Sequence, residues 1–202
     1  MSKSLLLGTR NPGKVKEITE TLEDSGWSFR SLREFANVAS AEENGNTYSE
    51  NAIAKAKTYA SATGLLALAD DSGLEVEALG GAPGVFSARY AGDNATDADR
   101  RDLLLSELAK TGSEKRRARF VAAVAIASAD GEVLNVSEGI CEGTITSAPR
   151  GHGGFGYDPL FIPNGYNQTF AELPENIKNR ISHRALALLK TKQFLSSLPG
   201  LL

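Results

Sequence analysis

The chain has 202 residues, 41% of them hydrophobic, with 22 basic against 25 acidic side chains and a formal net charge of -3. That supports a sizeable core, in one large domain or two lobes sharing a sheet. Balanced charge without long single-sign runs argues against a nucleic-acid surface, and the single Cys141 excludes an intrachain disulfide and a paired-cysteine zinc site. The basic stretch at 115–119 precedes an apolar strand and reads as a solvated loop or a local anion contact. The first ten residues carry too short an apolar segment for a signal peptide. The longest apolar run, 121–127, is far below the roughly 20 residues a membrane helix needs. A cytoplasmic protein is expected, with no membrane and no nucleic-acid partner.

Residues 5–7 read as a short buried strand. Asn11 suits a helix N-cap and Pro12 the first helical position, while Val15, Ile18 and Leu22 share one face and Gly26 is expected to end the helix. A second strand is predicted over 27–32. Thr47 and Glu50 have capping-box spacing, so a helix is predicted from there to Gly64. Residues 65–69 read as a strand, Asp70 and Asp71 either end it or start a turn, and 74–79 follow with alternating character. The glycine- and proline-rich 80–84 breaks the chain, and Thr96 caps a helix carrying Leu103, Leu104, Leu105 and Leu108. Strands over 118–128 and 132–140 flank Asp130-Gly131, a hairpin signal. A glycine-dense loop at 151–156, a brief strand at 161–162 and a closing helix over 185–198 follow. The fold class expected is α/β, a long mixed β-sheet with flanking helices forming two lobes around a central cleft, as a single two-lobed domain over 1–202.

Four stretches carry chemistry. Thr9-Arg10-Asn11-Pro12-Gly13-Lys14 joins a strand to a helix, whose start offers N–H groups and a positive dipole end to a phosphate. Lys14 in the first turn opposes that dipole unless an anion lies between; pointing to solvent is the bland alternative. The stretch matches most of a P-loop, but Val15 stands where a magnesium-holding Ser or Thr is needed, and Pro12 removes one N–H. The second stretch is Asp70-Asp71-Ser72-Gly73. Two adjacent carboxylates suit a hard cation that takes one or two carboxylates plus phosphates, and Glu42 or Glu43 could join them; an ordinary polar turn would also explain them.

The third is Phe155-Gly156-Tyr157-Asp158. An aromatic between glycines suits stacking on a nucleobase, or else a ring plugs the core beneath the loop. In the fourth, Ser182-His183-Arg184, the serine could cap the last helix, and arginine, always a donor, would favour a 6-oxo over a 6-amino base; a solvated Arg and a capping His are the alternative. Together these supply a phosphate end, a cation, a stacking surface and a base-edge reader, which describes a nucleoside triphosphate site.

The same residues resemble the inosine triphosphate pyrophosphatase family, the noncanonical purine NTP pyrophosphatases, and in particular its bacterial dITP/XTP members. The resemblance runs over nearly the whole chain and rests on T-x-N-x-G-K at 9–14, AEENGNTYSENAIAKA at 41–56, ADDSGLEVEALGGAPGVFSARY at 69–90, GGFGYDPLF at 153–161 and ISHR at 181–184. It implies magnesium-dependent hydrolysis of ITP, dITP and XTP between the α and β phosphorus, by a homodimer. It implies Asp71 as catalytic base and magnesium ligand and Glu42 as second ligand. Thr9, Asn11 and Lys14, with Arg10, Pro12 and Gly13 of the same loop, would hold phosphate, assisted by Lys55 and Ser72. Phe155 would stack on the base, with Gly156 and Tyr157 beside it, and Asp158, Lys178, His183 and Arg184 would read or frame it. Arg10 and Pro12 depart from the usual motif and would alter phosphate-loop geometry.

Two other readings compete. A P-loop ATPase or kinase would release orthophosphate or transfer the γ-phosphoryl group rather than release pyrophosphate; Val15 speaks against it. A non-catalytic nucleotide-binding module would bind without turnover; carboxylates at a phosphate site speak against that, because they repel phosphate unless a metal intervenes.

Overall fold

A computed structural model describes residues 3–198. The strands are β1 (Ser4–Leu7), β2 (Ser28–Ser31), β3 (Leu66–Val76), β4 (Arg117–Ala127), β5 (Val133–Ile145) and β6 (Phe161–Pro163). The helices are α1 (Pro12–Thr21), α2 (Tyr48–Thr63), α3 (Asp97–Lys110), α4 (Glu175–Ile181) and α5 (His183–Ser197). The six strands form one sheet in the order β2-β1-β3-β4-β5-β6. β1 pairs parallel with β2 and β3, while β5 pairs antiparallel with β6, so the sheet is mixed as expected. Among the described residues no helix is long and apolar enough to cross a membrane.

The chain divides into two compact units. The first takes in the described residues through Asp71, Ala122–Gly139, and those from His183 onward; the second is Ser72–Val121 with Ile140–Ser182. In the first, Leu5, Leu7 and Leu68 from the strands pack with Ile18 and Leu22 near α1 and with Ala187, Leu188 and Leu195 of α5. Each fully buried aliphatic side chain contributes roughly 1.5–3 kcal/mol. α5 approaches β5 with no side chain between them: a Cβ on Gly139 would overlap the His183 carbonyl oxygen and the Ala187 amide nitrogen. In the second unit Leu74 and Val76 pack with Leu104 and Leu108 of α3 and with Phe120, Phe161 and Phe170.

Several sequence expectations hold at the level of single caps. Asn11 accepts from the N–H groups of Gly13 and Lys14, Thr47 and Glu50 form a reciprocal capping box, and Gly64 ends α2 at φ 68°. Others are corrected. α1 stops at Thr21, and Gly26 instead caps a short 3₁₀ turn, Glu23–Ser25. β2 omits Trp27, which is buried, and Leu32, which opens a 3₁₀ turn. The segments expected at 65–69 and 74–79 are one eleven-residue strand, β3, so Asp70-Asp71-Ser72-Gly73 lies inside a strand and not in a turn. β5 extends to Ile145, and α4 lies where no helix was expected. Ser182 is both the C-cap of α4 and the residue immediately before α5.

Candidate functional site

Successive side chains of a strand point to opposite faces of the sheet. Asp70 therefore shares a face with Leu68, against α1 and α5, while Asp71 shares a face with Ala69. Tyr59 places α2 on that second side, since its ring lies beside Gly8 together with the Ala69 methyl. Two adjacent carboxylates thus receive their cations from different helices.

Asp70 is wholly buried. Its Oδ2 lies 3.0 Å from Lys14 Nζ and accepts from Arg184 Nε at 3.0 Å. Arg184, also buried, donates onward to Glu17. Burial alone would raise the Asp70 carboxyl, but Lys14 and Arg184 outweigh it and hold it well below the usual carboxylate range. Burial, reinforced by the nearby Arg184 and Lys55 charges, lowers the Lys14 ammonium despite Asp70.

Asp71, also buried, accepts from Lys55 Nζ at 2.7 Å on Oδ1 and from Asn51 Nδ2 at 3.2 Å on Oδ2. Asn51 and Lys55 are one helical turn apart on the buried face of α2. The same Lys55 ammonium lies 3.0 Å from Glu43 Oε1. Burial raises the Asp71 carboxyl against the pull of Lys55; burial also opposes the Lys55 charge, but Asp71 and then Glu43 keep the ammonium above its ordinary value. The loop that brings Glu43 here is pinned to its surroundings. Arg10 donates to the Val38 carbonyl and to Ser40, Tyr59 accepts from the Ala41 N–H, and Asn51 accepts from the Gly45 N–H. Glu42, the neighbouring acid, accepts from the Asn44 side chain at 2.9 Å.

The first loop offers an anion less main chain than its sequence suggested. Pro12 has no N–H, Asn11 takes those of Gly13 and Lys14, and the Val15 N–H goes to the Asn11 carbonyl. Thr9 accepts from the Asn11 N–H. The Lys14 ammonium of this loop is turned in to Asp70 and not out to solvent.

Among the described residues no group of three or more His, Cys, Asp or Glu side chains gathers as a metal cage. What the first unit does hold is a pair of carboxylates, Asp71 and Glu43, gathered around one positive centre. Magnesium takes one or two carboxylates beside phosphate and water oxygens, so the chemistry of these two donors fits that ion.

The second unit gathers Phe155, Gly156, Tyr157, Asp158 and Lys178. Asp158 is buried, and its Oδ2 accepts from Lys178 Nζ at 2.6 Å and from the Phe155 N–H at 2.8 Å. The Lys178 ammonium lies 4.9 Å from the Phe155 ring centroid, within cation–π range. Gly154 makes the loop possible: its φ is 70°, and a Cβ there would overlap the Asp158 carboxylate. Gly156 is held from both sides by α3, its N–H donating to Asp97 at 2.7 Å and its carbonyl accepting from Arg101 at 2.8 Å. Tyr157 is buried and donates its hydroxyl to the Ser87 carbonyl, so it plugs this core beneath the loop; burial pushes its pKa up. Ser72 follows Asp71 in β3, and His183 is buried at the start of α5.

Sequence reasoning missed Glu17, Asn51, Asp97 and Arg101. Glu17 and Asn51 each carried a signal, being polar residues one turn from Lys14 and Lys55 on faces otherwise built of apolar or small side chains. Asp97 and Arg101 carried none, because one polar helix turn resembles another until the loop it holds is known.

Fold and clusters together define a mixed α/β protein with an acid–base centre set into its third strand. The chain belongs to the Ham1 family, whose model matches residues 5–194. It is 50% identical over 194 residues to the dITP/XTP pyrophosphatase of Desulforamulus reducens, covering 96% of each chain. It is 47% identical to the dITP/XTP pyrophosphatase of Bacillus subtilis, over 96% of this chain and 98% of that one. A solved HAM1 protein from Coxiella burnetii superposes with a TM-score of 0.88 at 43% identity, over 97% of this chain and 100% of the other.

Proposed function

We propose that the protein is a nucleoside triphosphate pyrophosphatase that hydrolyses ITP, dITP and XTP to the nucleoside monophosphate and pyrophosphate. Membership of the family and the names of its relatives support that reading. The observation that carries it is Asp71, a buried carboxylate held by Lys55 and Asn51 in the same strand that fixes Lys14 through Asp70.

A water oxygen attacks the α phosphorus, and the bond from that phosphorus to the α–β bridging oxygen breaks. Pyrophosphate leaves with the bonding pair, and Asp71 accepts the proton of the attacking water; burial that raises its carboxyl suits a base. Lys14, carried by Thr9, Asn11, Pro12 and Gly13, meets the charge that develops on phosphate oxygens, with Lys55 and Ser72 assisting. Asp71 with Glu42 or Glu43 would hold Mg2+, which when bound neutralises phosphate charge. Arg10 acts on the site by holding the acidic loop.

In the second unit Phe155 supplies the stacking face, with its ring cornered by Lys178, and Asp158 fixes both. His183 and Arg184 are assigned to the base edge. An arginine gripped by two carboxylates presents its rigid fork in one direction, and a site built to donate to a 6-oxo group rejects a 6-amino base by several powers of ten. A homodimer in the cytoplasm completes the proposal, following the family resemblance; light scattering reads the first.

The deciding experiment incubates purified protein and magnesium with a panel of NTPs and quantifies pyrophosphate and orthophosphate separately. Pyrophosphate from ITP, dITP and XTP but little from ATP is expected, with loss of turnover in chelator. Orthophosphate as product would point to a γ-phosphate hydrolase, and nucleotide affinity without turnover to a binding module.

A further inference from the structure

In the first unit two separate carboxylates share Lys55: Asp71 from β3 at 2.7 Å and Glu43 from the acidic loop at 3.0 Å. Its stem rises from the buried face of α2, and its side chain is only 9% exposed. Asp71 is buried and the Glu43 side chain is 33% exposed, and two carboxylates converging on one point repel each other the more strongly the less water lies between them. Without a positive charge between them the acidic loop would swing away or one acid would take up a proton. An ammonium donates three hydrogen bonds from one point and is a compact point charge, the protein group closest in kind to a small hard cation.

We propose that Lys55 is a positioning residue that stands in for the divalent ion, holding Asp71 and Glu43 together in the metal-free protein and yielding them when the metal arrives. The inference rests on the proposed reading that Asp71 and an acid of the 42–43 pair take magnesium. On this view Lys55 has two opposed effects. It keeps the site assembled before metal and substrate bind, and it competes with the incoming ion for the same oxygens. A lysine with a merely structural role has only the first effect.

The test compares the parent with Lys55→Met, which keeps most of the stem and removes the charge. Mn2+ binding is followed by electron paramagnetic resonance, and thermal unfolding is followed across a Mn2+ titration, both without nucleotide. Lys55→Met is expected to melt lower than the parent without metal, to bind Mn2+ about tenfold tighter or more, and to recover more stability on saturation than the parent does. Equal or weaker Mn2+ binding, or a melting deficit that metal leaves unchanged, overturns the placeholder role while leaving the metal reading intact. Failure of both proteins to bind Mn2+ overturns the metal reading and this inference with it. Should Lys55→Met not fold, the parent decides alone: the Lys55 ammonium resonance, slow to exchange its protons without metal, is expected to lose that protection as Mg2+ is added. A signal unmoved at saturating Mg2+ overturns the proposal.

Discussion

Asp70 and Asp71 share a peptide bond, but their carboxylates pair with different cations. Asp70 is clasped by Lys14 of α1 and Arg184 of α5, and Asp71 by Lys55 of α2. The pleat of β3 makes the division, sending one carboxylate to each face, so the two neighbours have different work.

Asp71→Asn keeps the shape of the side chain and its contact with Asn51 but can no longer accept a proton. The variant is expected to unfold at a denaturant midpoint close to the parent's and to lose about 10²–10⁴-fold in turnover of ITP, read as pyrophosphate release.

Asp70→Asn should behave in the opposite way. It leaves Lys14 and Arg184 facing each other without their shared counter-ion, and removing one partner of a buried charge pair costs about 3–5 kcal/mol. Urea unfolding is expected to show a loss of that order. A variant as stable as the parent would mean the cluster is not coupled as its geometry implies.

For Phe155→Ala the loss belongs to binding. Stacking on an aromatic ring is worth about 1–3 kcal/mol per base, which corresponds to a KM raised roughly fivefold to over a hundredfold. Steady-state kinetics with ITP check it, and kcat should change far less than KM.

Gly154 and Gly156 both have positive φ, but only Gly154 faces an obstacle. Gly154→Ala is expected to displace the Asp158 carboxylate and free Lys178, raising KM more than Gly156→Ala does. Equal effects would reduce the difference to backbone strain alone.

Acid sensitivity should include a contribution from Asp97. Burial opposes its charge, but the Arg100 side chain and the Gly156 N–H outweigh it and hold its carboxyl below the ordinary value. A group lowered by folding stabilises the protein above its unfolded pKa, about 4 for aspartate, and that stability is lost as pH falls from there through the folded value. Asp97→Asn is therefore expected to lower the melting temperature at pH 7 and to flatten its fall below about pH 4; parallel melting curves would remove Asp97 from the acid limb.

Much of this was legible in the chain. The caps of α1 and α2 could be read because a cap is a local arrangement: Asn11 or Thr47 and the next few residues contain all the atoms involved. The candidate residues could be named from motif order, since chemistry restricts residue type. The setting of Asp70 and Asp71 could not be read. Two acids inside a strand look like a turn unless their counter-ions are known, and those come from positions 14, 55 and 184. That Lys55 lies against Glu43, and not against Glu42, could not be read either. α4 was hidden because its seven residues are too few to display a periodic face.

Where α5 rests against β5 at Gly139, main chain meets main chain with nothing compressible in the gap. The first turn of that helix therefore lies directly against the strand, one residue from Arg184. A single methyl group at position 139 would act as a wedge beneath that turn, displacing the backbone that carries Arg184 to Asp70. The alignment of Arg184 with Asp70 thereby depends on a position that carries no functional group at all.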